Sequence, residues 1–330
     1  RIFDMNAAAK AAVDAPTQWH DPFHGAWLQR GERRFASWAW HGAMKAGGLC
    51  VPADASDLAE WQYNLAGQVF GMGAQNYANP VKWTGTAFDG GFATCGVADL
   101  VSRKGLAEGD DDPDTGRIFL AFCALPDDRT VVSIQRARTS NAAYLRRVRG
   151  LALSVPNDVF NGFTRTLHTA EGSRTLKAVP QAFERIANAG NWLNLDDRLG
   201  VVAIYGGSPE VARLPGRQIP LNIWSSEGPK PGGGYLYCEE IAQGIQEGPR
   251  YYGARETIFD CAAVVLTADA AATAAYAAAG AAVQVPVADP HLRAVRVKDA
   301  AGAVWLILVN FSESPKTVSR TQLGGWLGGE

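Results

Sequence analysis

The sequence is short of the residues and patterns that mark the commonest functional classes. Of 330 residues only five are cysteine, Cys50, Cys95, Cys123, Cys238 and Cys261, and no two lie close together. Without a CxxC pair, a zinc ribbon is excluded. Cys123 (AFCAL) and Cys261 (FDCAAV) sit in apolar runs and read as small buried hydrophobes; one disulfide stays compatible with the sequence. Charged residues make up 19% and the net charge is -2, so the basic excess of a nucleic-acid binder is missing. No run of about 18 apolar residues occurs, and no membrane-spanning helix is expected. There is no GxGxxG after a strand, no GxxxxGK[ST], no HExxH and no GxSxG, which removes the corresponding dinucleotide, P-loop, zincin and serine-hydrolase readings. The glycine run Gly232 to Gly234 stands alone and reads as a turn. The opening, RIFDMNAAAK, has neither an initiator Met nor a signal-peptide pattern, which suggests part of a longer protein, either secreted or cytoplasmic and bacterial.

What the chain does contain is alternation. Hydrophobic residues make up 47%, enough for a large core. Period-2 patterns predict strands at Phe35 to Gly42, Arg117 to Leu125, Arg129 to Arg138, Leu145 to Val155, Asn191 to Asp197, Leu199 to Gly206, Arg217 to Ser226, Thr257 to Thr267, Ala294 to Asp299 and Ala303 to Ser312. Pro126-Asp127-Asp128 joins two of them, because Pro sets φ and Asp bonds its own backbone. Asp196-Asp197 reads as another hairpin turn. Helices are expected at Asp57 to Gly67, with Leu58, Trp61 and Leu65 on one face, at Ala268 to Gly280 capped by Thr267, and at Val179 to Gly190. The fold class that follows is mainly β: an antiparallel β-sandwich, possibly a supersandwich, with a few peripheral helices. Residues 1–282 form a large β-sandwich domain on this reading, and residues 283–330 a small C-terminal β domain.

The stretches AVRV and AVWLILVNFSESPKTV (Ala303 to Val318) resemble the small C-terminal β-sandwich of many bacterial glycoside hydrolases. CVPADASDLAEWQYNLAG, LALSVPNDVFNG and NWLNLDDRLGVVAIYG resemble β-sandwich regions of multidomain polysaccharide-degrading enzymes, glycoside hydrolases or polysaccharide lyases. The resemblance implies a carbohydrate context and a poly- or oligosaccharide partner.

Six of the ten tryptophans fall in the first 83 residues. Indole rings stack on the C–H faces of sugars, but they also fill cores. In FASWAWHG the alternation of a strand puts Trp38 and Trp40 on one face. Trp19, Trp38, Trp40 and Trp61 are the candidate substrate-binding rings. His41 and His20, each preceded by a tryptophan, and Glu60 are the candidate catalytic groups, since His titrates near neutral pH. Asp57 and Glu60 also suit helix capping. WHDPFHG spaces His20 and His24 as i,i+4, but Pro22 and Gly25 oppose the helix that would make them a metal pair. The remaining acids, Glu239 and Glu240 among them, signal no catalytic pair; on a strand only one of those two faces inward. The acidic run Glu108 to Gly116 is a possible calcium loop, without EF-hand spacing; no other cofactor is expected. The local cluster Arg136, Arg138, Arg146, Arg147 and Arg149 reads as the solvent face of two strands. Three functions compete: cleavage of a polysaccharide by hydrolysis or elimination, a non-catalytic carbohydrate-binding or scaffold module of an enzyme whose other domain precedes this chain, and a structural subunit of a homo-oligomer.

Overall fold

The computed structural model describes residues 15–42, 45–58, 64–72, 75–103, 115–158, 161–178, 180–214, 219–220, 235–312 and 314–327. A nine-stranded antiparallel sheet is its centre. The strands run, edge to edge, Gly172–Lys177, Thr164–Thr169, Trp192–Leu195, Leu199–Tyr205, Thr257–Leu266, Thr130–Thr139, Gly116–Ala124, Gly91–Arg103 and Gln75–Phe88. Alternation gives this sheet two apolar faces. On Gly116–Ala124, Ile118, Leu120 and Phe122 point into one hydrophobic cluster, while Phe119, Ala121 and Cys123 point into the other. Both faces are therefore covered, and the fold is a stack of antiparallel sheets.

The inner face carries two further sheets. The N-terminal sheet orders Thr17–Asp21, Ala26–Arg30, Arg34–Gly42 and Lys45–Pro52; the flanking sheet orders Glu184–Ile186, Glu210–Arg213, Cys238–Tyr252, Ala143–Pro156 and Gln68–Gly71. The outer face is covered by the three-stranded C-terminal sheet, Ala282–Val285, Leu292–Lys298 and Val304–Asn310, whose Val295, Val297 and Val309 join the outer cluster. Its hairpin closes at Asp299 to Gly302, between two of the predicted strands, with Lys298 opposite Val304. The C-terminal sheet thus finds its second layer in the central sheet.

Large rings fit between the N-terminal and central sheets because glycines lie beneath them. A Cβ on Gly85 would stand 2.4 Å from the Trp27 ring, one on Gly48 2.6 Å from Trp38, and one on Gly96 2.8 Å from Trp40. Trp38 also packs on Phe122 at 5.2 Å, and the Trp40 Nε1–H donates to Thr94 Oγ1 at 2.8 Å.

The predicted helices fare unevenly. The alanine-rich segment forms a helix at Ala270–Ala278, with Asp269, not Thr267, as its cap and Gly280 at φ 57 as its stop. At Asp57 only a 3-10 turn, Ser56–Leu58, is described; residues 59–63 lie outside the described residues, and Leu65 has left-handed φ 54, so it does not continue a helix. Leu58 and Leu65 are nevertheless both fully buried. Within Val179 to Gly190 the described backbone holds a strand, Glu184–Ile186, not a helix: pairing with Glu210–Arg213 and ion pairs from Arg174 and Arg213 to Glu184 override local propensity. A further helix, Arg320–Leu327, is not among the predicted ones. Of Arg217 to Ser226 the strand Ile219–Pro220 is described and residues 221–226 are not. No helix among the described residues is long and apolar enough to cross a membrane.

Three sheets meet at one turn. Arg34, buried in the N-terminal sheet, donates to Leu125 O at 2.8 Å, and to Thr130 O and Gln29 Oε1, and lies 3.8 Å from the Asp127 carboxylate. Asp127 also accepts from the N–H groups of Thr130 and Arg129, at 2.9 and 3.2 Å, and from Ala300 N of the C-terminal sheet at 2.9 Å. We predict that Asp127→Ala lowers unfolding stability by about 3–5 kcal/mol, because it strands a buried guanidinium. Urea unfolding measures this, and a loss below about 1 kcal/mol contradicts it. Gly96→Ala is expected to cost about 1–3 kcal/mol, since the indole above it and the Lys82 carbonyl 2.5 Å away must shift. An unchanged melting temperature counts against that account.

Candidate functional site

Among the described residues the Thr17–Asp21 strand is the edge of the N-terminal sheet, pairing with Ala26–Arg30. Alternation sends Trp19 and His20 to opposite faces. Trp19 is 52% exposed. His20 is exposed at its rim and stacks on the buried Trp27, centroids 4.7 Å apart and planes inclined 17°.

The strand ends in a turn built by its own residues. Asp21 Oδ1 accepts from Phe23 N at 2.9 Å and His24 N at 3.3 Å, and Asp21 Oδ2 lies 2.5 Å from His24 Nδ1. Pro22 sets φ, and Gly25 takes a left-handed φ of 57. This turn thrusts Phe23 out, 83% exposed, edge-on to His24 at 4.9 Å. Gly25 is also the floor for Trp83: a Cβ there would stand 2.3 Å from the indole Nε1. His41 N donates to His24 O at 3.3 Å, and the exposed His41 ring meets Trp83 edge-on at 4.7 Å.

The structure thus brings three of the seven sequence candidates, Trp19, His20 and His41, to one edge. Trp38 and Trp40 are a correction: at 1% and 0% exposure they are sealed between sheets and offer no face to a ligand. They do share a face, 5.4 Å apart, but that face is the packed one. Glu60 and Trp61 lie outside the described residues, as do most of the acidic run Glu108 to Gly116 and the calcium reading placed on it. Sequence reasoning missed Asp21, Phe23 and Trp83. The first two were within reach, since D-P-F-H is an Asx-turn signature that folds Asp back on the histidine. Trp83 meets Gly25 across the sandwich and left no local trace.

Asp21 and His24 form the arrangement best suited to proton transfer. With the carboxylate on Nδ1, a neutral His24 keeps that proton there and leaves Nε2 as an acceptor. The His24 hydrogen bond, the largest influence, holds the Asp21 carboxyl below the ordinary carboxylate range; partial desolvation works against it, and the two backbone N–H groups add to it.

Elsewhere, acids are committed to structure. Glu239 and Glu240 are both buried, at 0% and 2%, against the expectation that only one faces inward. Each side of the strand meets an arginine: Arg213 Nε donates to Glu239 at 2.8 Å, and Arg149 Nε lies 3.4 Å from Glu240. Burial alone would lower the Arg213 pKa, but the hydrogen bonds to Glu239 and Glu184 outweigh it and raise the value. Asp196 and Asp197 make the predicted hairpin turn, with φ 56 and 55, and Asp196 also binds Arg165 at 2.7 Å. Burial pushes the Cys50, Cys123 and Cys261 thiols up to about 12, so they are poor nucleophiles, and all five cysteines are free. Among the described residues no three His, Cys, Asp or Glu side chains are grouped to hold a metal ion. Two hollows on the outer face of the central sheet, one beside Cys95, Phe119 and Asn310 and the other beside Thr86, Ile134 and Ile307, are lined by no histidine or carboxylate.

This architecture has solved counterparts. It is similar to part of a xanthan lyase from Paenibacillus. That likeness has a TM-score of 0.53 at 12% identity and covers 92% of this chain and 30% of the lyase. Weaker likenesses are to an alpha-galactosidase from Lactobacillus brevis (TM-score 0.43, 11% identity, 76% of this chain and 40% of that one) and a chondroitin AC lyase from Streptomyces coelicolor (0.40, 15%, 82% and 35%). The chain spans less than half the length of each. No protein-family model and no curated protein matches the sequence. The xanthan lyase likeness establishes a shared fold.

The Asp21 bond gives a pH prediction. A depressed pKa means the turn is held at every pH above the ordinary carboxylate value and is lost only as pH falls through the lower one. The Asp21 side-chain carboxyl resonance should show its own protonation step only below about pH 4. A step centred above about pH 4 contradicts this.

Proposed function

We propose that this chain is the β-sandwich portion of a carbohydrate-active protein that grips a polysaccharide along the edge of its N-terminal sheet. Trp19 and Phe23 supply stacking rings, and His24, oriented by Asp21, handles the proton in hydrolysis or elimination. His20 and His41 flank it, each held against an indole, and are the further candidates for that role. The observation that carries the reading is the meeting, on one edge, of strongly exposed rings with an imidazole whose Nδ1 is already engaged by a carboxylate. Rings left in water offer apolar faces to a sugar, and a positioned His is the commonest proton-transfer group near neutral pH. The fold likeness to a protein named as a xanthan lyase supports the carbohydrate context.

A second reading has its own support. The chain spans 30% of that lyase, which suits a non-catalytic binding or scaffold module within a larger enzyme. One experiment decides between the two. The purified chain is incubated with a polysaccharide panel, and new reducing ends and absorbance near 232 nm are followed. Turnover that drops at least about 100-fold in His24→Ala supports the catalytic reading. Binding without turnover supports the module. Trp19→Ala is expected to weaken binding about tenfold, corresponding to ~1.4 kcal/mol for a lost stacking ring. A chain that neither binds nor cleaves any member of the panel overturns both and leaves a structural subunit, which light scattering would detect as a large assembly.

A further inference from the structure

The C-terminal sheet has three described strands where the central sheet beneath it has nine, so one margin of the outer face stays open. Strand pairing fixes what lines that margin. Between Gln75–Phe88 and Gly91–Arg103, Lys82 stands opposite Val97, Thr84 opposite Cys95 and Thr86 opposite Ala93. Directly paired residues share a face, and Val97, Cys95 and Ala93 belong to the outer cluster or pack against it. Lys82, Thr84 and Thr86 therefore lie on the outer face too. These three are exposed, and Ala93 and Cys95 are half-buried. The strand Val304–Asn310, the edge of the C-terminal sheet among the described residues, forms the facing wall through Ile307 and Val309.

Two hollows lie along this lane, of about 300 Å³ and 250 Å³. Both are lined by Thr84 and Cys95, so they are contiguous. Their chemistry differs. The first holds Lys82, Asn310 and Ser312. The second is walled by Ala121, Ile134 and Ile307, and its exposed hydroxyls are those of Thr84 and Thr86. Two residues past Thr86 on the same face, Phe88 stacks on Trp305, centroids 6.4 Å apart and planes inclined 23°, and bounds the apolar end. The rise of a strand puts Lys82 and Thr86 about 14 Å apart, comparable to an extended medium-chain acyl group.

The charge at the polar end has nothing to answer it. Lys82 makes no hydrogen bond or ion pair with another described residue, and neither hollow is lined by a carboxylate. Asp99, two residues beyond Val97, is engaged by Arg117 at 2.9 Å. A cation at one end of a mostly apolar lane selects an acid with a hydrocarbon tail. A sugar suits the lane poorly, because in the apolar hollow most of its hydroxyls would lose water without gaining a partner.

We infer that this lane is a binding site for a medium-chain alkyl carboxylate. The acid group sits among Lys82, Asn310 and Ser312, and the tail lies over Cys95 and Ala121 toward the Phe88–Trp305 end. The site is on the opposite face of the central sheet from the N-terminal sheet, and the inference goes beyond the carbohydrate reading without resting on it.

Cys95 gives a local readout, since it is the one cysteine of the five that is not buried. N-ethylmaleimide labelling is followed by peptide mass spectrometry on the purified chain, with decanoate, butyrate, 1-decanol and glucuronate as probes. Decanoate, kept below its micelle-forming concentration, should slow labelling of Cys95 saturably. Butyrate should protect at least about a hundredfold less well, because it lacks six methylenes. Lys82→Gln should weaken decanoate protection about fivefold and leave 1-decanol protection unchanged. Cys95→Leu, which fills the junction of the two hollows, should abolish decanoate binding in calorimetry while the melting temperature holds. The inference is overturned if decanoate leaves Cys95 labelling unchanged, if Lys82→Gln protects like the wild type, or if Cys95→Leu binds decanoate as before. It is equally overturned if glucuronate protects Cys95 better than decanoate does, which would make the lane a sugar subsite.

Discussion

The contact of Arg34 with the Asp127 turn holds the layers together. An arginine sealed from water is costly unless it is paired and hydrogen-bonded, and here the backbone carbonyls of Leu125 and Thr130 and the Gln29 amide oxygen accept from its two terminal nitrogens, with the Asp127 charge nearby. Burial, the largest influence, pulls the Arg34 pKa down, with the Asp127 charge among the groups opposing it. Because Asp127 also accepts from Ala300, the same turn registers the N-terminal, central and C-terminal sheets against one another. Asp128 adds a second tie, accepting from Arg33 N at 2.8 Å. Apolar packing drives the sheets together without direction; this polar knot gives them one relative position.

That position decides which rings become available. Trp27, Trp38 and Trp40 descend onto Gly85, Gly48 and Gly96 and vanish into the core. Trp19, one residue out of phase with the buried face on an edge strand, has no sheet above it among the described residues. Phe23 is expelled by a turn that Asp21 organises. The candidate site is thus a by-product of how the edge of the N-terminal sheet ends, and the imidazoles beside it are steadied by the rings that the core left at its rim. The flanking sheet repeats the theme with Tyr144 and Tyr251, which alternate with Leu145 and Tyr252 of the inner cluster and point away from it.

Much of the architecture was legible in alternation. The strands at Arg117 to Leu125, Arg129 to Arg138 and Thr257 to Thr267 stand within a residue or two of their predicted bounds, because strands buried on both faces carry unbroken apolar runs between clear turns. The helix predicted at Val179 to Gly190 failed where Arg213 and Arg174 captured Glu184, a long-range interaction with no local signature. Glu239 and Glu240 misled for the same reason: counterions on both sides of a strand permit two consecutive buried acids. Of the site, the histidines and Trp19 were legible as exposed residue types in a polar, turn-rich segment, whereas Trp83 was not.

By itself the sequence determined the class of structure, the main hairpins and the presence of an aromatic-rich first quarter, since these depend on side-chain period and turn chemistry among neighbours in the chain. Only the tertiary structure decided which aromatics are walls and which are surfaces. Trp38 and Trp19 are the same residue type on strands of one sheet with a single strand between them, and what distinguishes them is the face each takes: Trp38 packs against Phe122 of the central sheet, whereas Trp19 points to the other face.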